Sequence, residues 1–280
     1  LDAVVIQMNV YFYDYTALEH LIGGLRAVGL VVTLSLHATI EPEPRKALSA
    51  LRPAAERCDR VLVHTVRDLN RLAGAGMEAN AALLPHGIAN VRQAPVAWPH
   101  AGKRCIASYG FALPHKGLEE LLEAFASVHE RQPDTVLLLL NAEHADPVSA
   151  ATVARLRERI EELGLTRAVH AEHRFLDDEH SLGLLAHAEV IAMPYQHTGE
   201  SASGAVRMAI ASGRPVMVTP LPVFEDVAPA VSQFSGTGVQ AIAQGLEQAL
   251  AGHAAPTPER ARQWREQHSY PVVSGRLFRM

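Results

Sequence analysis

A lysine and a glycine open an amphipathic helical stretch in YGFALPHKGLEELLEAF (109–125), directly after a short apolar run. An ammonium beside a helix N-terminus suits a phosphate, because it adds to the exposed N–H groups and to the positive end of the helix dipole. On these residues alone, a solvated Lys116 near a helix start is an equal reading. MPYQHTGESASGAVRMA (193–209) repeats the order of strand end, loop and helix. Its small residues Ser201, Ala202, Ser203, Gly204 and Ala205 let backbone N–H groups approach a ligand, and Glu200 at the mouth of the turn could accept hydrogen bonds from hydroxyls. An ordinary Ser/Gly helix cap competes with that reading. The third turn, TPLPVFEDV (219–227), carries Glu225 and Asp226, whose charges favour a helix N-terminus without any ligand.

Other candidates are weaker. The chain has 15 histidines, and HAEHRFLDDEH (170–180) could be drawn as a metal cluster, but its spacing lacks a defined ligand set. No metal site is expected. His64, His86, His115 and His197 border expected loops and read as polar surface side chains, with His115 set apart by its place beside Lys116. Ser203 lacks the strand-to-serine elbow of a hydrolase. Met193, Met208 and Met217 read as packing residues.

Composition narrows the classes. Of 280 residues 48% are hydrophobic, and the formal net charge is −5, which is enough chain for two domains with real cores. That mild acidity leaves no electrostatic footprint for nucleic acid, and no Lys/Arg block marks an anionic membrane surface. Cys58 and Cys105 lie far apart and form no metal-spaced pair, which fits a reduced, cytoplasmic protein. No uninterrupted apolar run is long enough to span a bilayer. The chain begins with LDAVVIQ, which reads as a strand already under way and suggests one module of a longer protein.

Strand and helix patterns must position these turns, and they alternate almost throughout. AVVIQ (3–7), LVVTLSL (30–36), RVLVHT (60–65) and AALLP (81–85) are strand candidates, with helical stretches at 18–28 and around Leu69 and Leu72. PHGIANVRQAPVAWPHAGKR (85–104) holds prolines and glycines without periodicity and marks a domain boundary. Alternation resumes with CIASYG (105–110), TVLLLLN (135–141), AEVIAMP (188–194) and PVMVTP (215–220), separated by helices that include Leu118–Val128 and Val153–Leu163. The tail from Pro258 reads as helical with an interruption near Pro271. Apolar strands spaced by helices indicate parallel sheets covered on both faces. The expected fold class is α/β with two doubly wound, Rossmann-like domains, whose ligands bind at the carboxyl ends of strands. The expected division is 1–95, 96–257 and a terminal helical piece 258–280 packing back on the first domain.

Taken together, the turns resemble the donor-binding domain of family-4 retaining glycosyltransferases of the GT-B fold. That family's Gly, short loop, Lys-Gly and amphipathic helix are matched by Gly110 through Ala124. Its signature of Glu, seven residues, Glu, then Ala-x-Ala-x-Gly-x-Pro-Val is matched by Glu200 and by Ala209, Ala211, Gly213, Pro215 and Val216. DAVVIQ, VVTLSLHAT, CDRVLVHT and LLPHGI resemble the later part of the family's acceptor domain, with its opening strands absent. His37 falls where the family keeps a histidine facing the donor sugar. Phe111 replaces the family's loop arginine, and Met208 replaces the second glutamate, which in relatives holds the ribose hydroxyls.

The resemblance implies a metal-independent, retaining hexosyltransferase of polysaccharide biosynthesis with no cofactor, using a nucleoside diphosphate sugar as donor substrate and a glycan or lipid-linked acceptor. It implies catalytic roles for Lys116, Glu200 and His37. Gly110, Ser201, Ala202, Ser203, Gly204, Ala205, Arg207 and Met208 would contact the donor. A lipid-linked acceptor would bring a cytoplasmic protein to the inner face of a membrane as a peripheral partner. A sugar-nucleotide epimerase, a phosphorylase-like enzyme and a non-catalytic sugar-nucleotide-binding module stay open beside this reading.

Overall fold

The computed structural model describes residues 1–9, 13–40, 47–253 and 256–279. The chain forms two compact units. The first gathers Leu1–His86 with two returning segments, Gly199–Ala202 and Val273–Met280, and the second holds Gly87–Thr198 and Ser203–Val272. The division thus falls at His86, earlier than the expected 95. Backbone bonds explain the shift: Ile88 donates to the His268 carbonyl (2.8 Å) and accepts from Tyr270 N–H (3.0 Å), tying residue 88 into the second unit.

In the first unit, β1 (Ala3–Met8), β2 (Val31–Leu36), β3 (Arg60–Val63) and β4 (Ala81–Leu83) form one parallel sheet in that order. Central β2 is buried at five of its six positions, as its continuous apolar run requires, whereas edge strand β1 alternates. Helix α1 (Tyr15–Ala27) is capped by Asp14, whose carboxylate accepts from Ala17 N–H at 3.0 Å, and buries Tyr15, Leu18 and Ile22 at helical spacing. Helices α2 (Leu48–Glu56) and α3 (Val66–Gly74) complete the cover, adding Leu48, Leu51 and Leu72 to the same core.

In the second unit, β5 (Arg104–Phe111), β6 (Thr135–Ala142), β7 (Val169–Glu172), β8 (Ala188–Met193), β9 (Val216–Val218) and β10 (Ser232–Gln233) form a six-stranded sheet. Its order is β10-β9-β8-β5-β6-β7, and every recorded pairing is parallel. The chain winds outward from β5 through β7, then returns to β5's other side with β8. That reversal is a topological switch point, where helices leave opposite faces and a crevice opens at the carboxyl ends. One apolar cluster lies under α4 (Leu118–Arg131), α5 (Pro147–Glu162) and α8 (Val239–Leu250). The other lies under α6 (Asp178–Leu185) and α7 (Gly204–Ala211), with the 3₁₀ segment Pro222–Ala230.

The tail is divided between the units. Helix α9 (Pro258–Gln267) stays with the second, whereas Val273 of α10 (Tyr270–Leu277) is buried with Leu62 and Leu84 in the first. No helix among the described residues is long and apolar enough to cross a membrane.

Candidate functional site

The loops leaving β5 and β8 at the switch point carry the second unit's candidate chemistry. A 3₁₀ turn, Pro114–Lys116, leads into Gly117, whose φ of +68° is left-handed. A Cβ at Gly117 would overlap the carbonyl oxygen of Pro194, so only glycine permits the two loops to touch. The His115 carbonyl accepts Gln196 N–H at 2.8 Å and locks that approach. Gly110 has φ +132°, and a Cβ there would come within 3.1 Å of the Ala205 side chain.

This packing fixes the lysine. Lys116 is only 7% exposed, and its ammonium lies 4.0 Å from the centroid of the Tyr195 ring. The negative face of the ring attracts the ammonium and holds it in place. The Tyr195 hydroxyl is 2.9 Å from Ser203 Oγ, which caps α7 by accepting Val206 N–H at 3.3 Å. Lys116, Tyr195 and the start of α7 therefore form one connected arrangement. Gly204 is exposed, and a Cβ built on it meets nothing within 4 Å. The first N–H groups of a helix lack intrahelical partners, so this opening favours an anion.

Arg207, expected beside the donor, is engaged in the fold. It is 4% exposed, donates to the Ser203 carbonyl at 2.6 Å and forms an ion pair with Asp226. Burial pulls the guanidinium below its ordinary pKa and pushes the Asp226 carboxyl up, and the attraction between the two charges opposes both shifts in part. Met208, one position on, is half-buried and belongs to neither apolar cluster of its unit.

The carboxyl ends of β6 and β7 hold a second feature. Asn141 is fully buried, yet both its side-chain oxygen and nitrogen lack hydrogen-bond partners, as does Nε2 of His173. His173 Nδ1 donates to the Asn141 carbonyl at 2.8 Å, which leaves Nε2 as an acceptor. Exposed Phe111 and Phe175 stack there at 6.1 Å between ring centroids, with His144 edge-on to Phe111 at 4.9 Å.

Glu200 and Ser201 belong to the first unit, with His37. Asp68, wholly buried on α3, accepts hydroxyls from Thr65 (2.6 Å), Ser201 (2.9 Å) and Thr39, and pairs with Arg71 at 3.4 Å. Thr39 N–H donates to Ser201 Oγ at 3.3 Å, so the Ser201 side chain is held on both sides. Glu200 is half-buried beside it. His37 is half-buried with Nε2 2.7 Å from the Gln7 side-chain oxygen, and burial lowers its pKa, so the ring is neutral at pH 7. His64 is 5% exposed rather than a surface side chain, because it closes the end of a central strand.

The acidic and histidine-rich run 170–180 forms local pairs, Glu172 with Arg174 (2.5 Å) and Asp177 with His180 (2.9 Å). Burial pushes the thiols of Cys58 and Cys105 up to about 12, so neither is a nucleophile at neutral pH.

The profile described as "Glycosyl transferases group 1" matches residues 93–268. The chain belongs to the group 1 glycosyl transferases. Its match spans the second unit's sheet and both switch-point loops. No curated protein matches this group 1 chain in sequence. Solved structures with the same GT-B fold include HepE of Anabaena, in complex with UDP and glucose, at 15% identity and TM-score 0.78, covering 98% of this chain and 77% of that one. Sucrose-phosphate synthase of Thermosynechococcus elongatus aligns at 17% identity and TM-score 0.74, over 99% and 73%. The UDP-forming trehalose-phosphate synthase of Burkholderia xenovorans aligns at 15% identity and TM-score 0.70, over 99% and 72%.

For this group 1 chain, sequence reasoning missed Asp68, Asn141 and Tyr195. The Thr65-x-x-Asp68 spacing before a helix was a readable capping box, but Asp68's hold on residue 201 was not, since it needs the fold. Nothing in TVLLLLN distinguishes Asn141 from a strand-end polar residue.

Proposed function

We propose that this chain transfers a hexose-type sugar from a nucleoside diphosphate to a glycan or lipid-linked acceptor, with retention at the anomeric carbon and without a metal in the chemical step. The observation that carries the reading is the buried Lys116 ammonium, fixed over Tyr195 beside the open start of α7, in a chain of the group 1 family. Charge develops on the departing diphosphate, and a preorganised cation with helix N–H groups stabilises it more than mobile water does. Lys116 and the backbone of residues 203–205 are assigned that task, and Gly110 lets the chain come close. Glu200, Ser201 and Ala202 are assigned to the sugar end, with Glu200 and the Nδ1 lone pair of neutral His37 accepting from its hydroxyls. The leaving phosphate takes the acceptor's proton, so no protein base is required.

Phe111, Phe175 and the unmatched amide of Asn141 support placing the nucleoside at that corner, since a base offers both a flat face and polar edges. HepE was solved with UDP and glucose, which makes UDP-sugars the first donors to test. A lipid-linked acceptor would bring the protein peripherally to the cytoplasmic face of a membrane.

The test is calorimetric titration with UDP-, GDP- and dTDP-sugars, followed by transfer assays on wild type and Lys116→Ala. A charge-assisted contact to phosphate is worth about 1.5–3 kcal/mol, so the variant should lose about 10- to 100-fold in binding or rate while keeping its melting temperature. With Phe111 in place of a second cation, the upper end is expected. Wild-type kinetics in the variant would make Lys116 a packing residue. Donor binding with no transfer to any acceptor would instead support a non-catalytic module.

A further inference from the structure

Three histidines stand at the carboxyl ends of three neighbouring strands in the first unit. His37 follows β2, His64 follows β3, and His86 comes three residues after the end of β4. The His64 and His86 rings stack at 3.6 Å, and His37 lies 4.9 and 5.3 Å from them between centroids. One ring nitrogen of each lies within 4.8 Å of the other two, and no other such trio of His, Cys or acidic groups is found among the described residues.

The tautomers of two rings are set from outside. His64 Nδ1 is 2.8 Å from the Leu84 carbonyl, which only accepts, so the proton sits on Nδ1 and the Nε2 lone pair turns to the other side. The Ser35 hydroxyl lies 3.3 Å from Nε2. His37 Nε2 faces the Gln7 side-chain oxygen at 2.7 Å, which leaves the lone pair on Nδ1. Carbonyl and carboxamide partners of this kind orient the imidazoles of metal sites and raise their basicity.

We propose that His37, His64 and His86 bind one divalent late transition-metal ion of the zinc class. Three imidazoles with no carboxylate suit Zn²⁺, Co²⁺, Ni²⁺ or Cu²⁺ and not Mg²⁺ or Ca²⁺. A three-histidine set leaves a fourth position for water or an added ligand. Metal–nitrogen bonds of about 2.0–2.1 Å bring tetrahedral ligands to roughly 3.3 Å from one another, so the set must contract on binding. The half-buried rings of His37 and His86 close onto His64, which its bond to Leu84 holds in place. The inference stands apart from the glycosyltransferase reading, although an ion here would engage His37 and compete with its assignment to the donor sugar.

Chelator-treated full-length protein is titrated with Zn²⁺ by calorimetry and with Co²⁺ by visible absorption. One equivalent with an intense tetrahedral cobalt spectrum is expected, lost in His37→Ala and in His86→Ala, each confirmed folded by circular dichroism. Gln7→Leu keeps all three ligands and should weaken binding about 10- to 100-fold. His180→Ala, which removes an exposed histidine paired with Asp177, should change nothing. Absence of any equivalent in wild type would overturn the site. So would an equivalent that survives in both folded His37 and His86 variants, since that would place the ion on surface histidines.

Discussion

Under the proposed function Met208 bears on how this chain holds a nucleoside, because it occupies the position at which the family that the sequence resembles has a second glutamate. On an α-helix its neighbour Arg207 points about 100° away, and Arg207 is the residue buried against Asp226 and the Ser203 carbonyl. Met208 therefore projects from a different face, half-exposed and outside the core clusters. A thioether there leaves a ribose diol in water or on backbone groups. We expect Met208→Glu to tighten nucleoside diphosphate binding by about 10- to 100-fold, the worth of a hydrogen bond to a charged acceptor, with little change in melting temperature. Calorimetry and thermal melting together check this. A destabilised variant with unimproved affinity would mean that the side chain packs inward after all. The same position shows the limit of reading residues from a string: the matched Ala-x-Ala-x-Gly-x-Pro tail gives the helix register, but the engagement of Arg207 depends on Asp226, which arrives from a separate loop.

At the scale of elements, the second unit's candidate site is a contact between two loops, and Gly117 is where they meet. Its left-handed φ and the Pro194 carbonyl beside it both exclude a side chain. Gly117→Ala should cost at least ~1–2 kcal/mol from backbone conformation alone, and more once the loops part. It should also weaken donor binding, since Lys116 and Tyr195 would separate. Urea denaturation and calorimetry check both, and an unchanged midpoint would show the loops to be yielding. The Lys-Gly pair was legible in the sequence because its chemistry is local. So were eight strands of the two sheets, β1 to β6 with β8 and β9, as short apolar runs. β7 (Val169–Glu172) was not, because an edge strand with a polar sequence, VHAE, carries no such run. β10 has two residues and exists only because β9 offers an edge. Helix α2, with Pro53 inside it and no side-chain cap, likewise sends a weak signal although Leu48, Leu51 and Ala54 are well buried.

At the scale of the molecule, the histidine trio and the hold of Asp68 on residue 201 were invisible in the string for one reason: each is assembled from residues brought together by strand order or by a returning segment. The first unit depends on two such segments, Gly199–Ala202 and the stretch from Val273. Ser201 gives Asp68 one of its hydroxyls, and Val273 covers Leu62 and Leu84. A fragment of residues 1–86 would uncover those leucines and leave a buried carboxylate short of a donor. Burial of a single valine or leucine is worth about 1.5–3 kcal/mol, and the loss of a partner to a buried acceptor costs about 1–3 kcal/mol more. Those losses are a large share of a domain's net stability. We expect the fragment to lack a cooperative thermal transition by circular dichroism, and a sharp melt would refute this.

That discontinuity also sets an order on biosynthesis. Chains emerge from the ribosome at about 5–20 residues per second, so the four strands of the first sheet wait roughly ten to forty seconds before α10 can close over Leu62 and Leu84. During that interval the second unit, with its own complete sheet, is free to fold. Of the two units, the one made earlier is therefore finished later, and its uncovered leucines are what a chaperone on the nascent chain would meet.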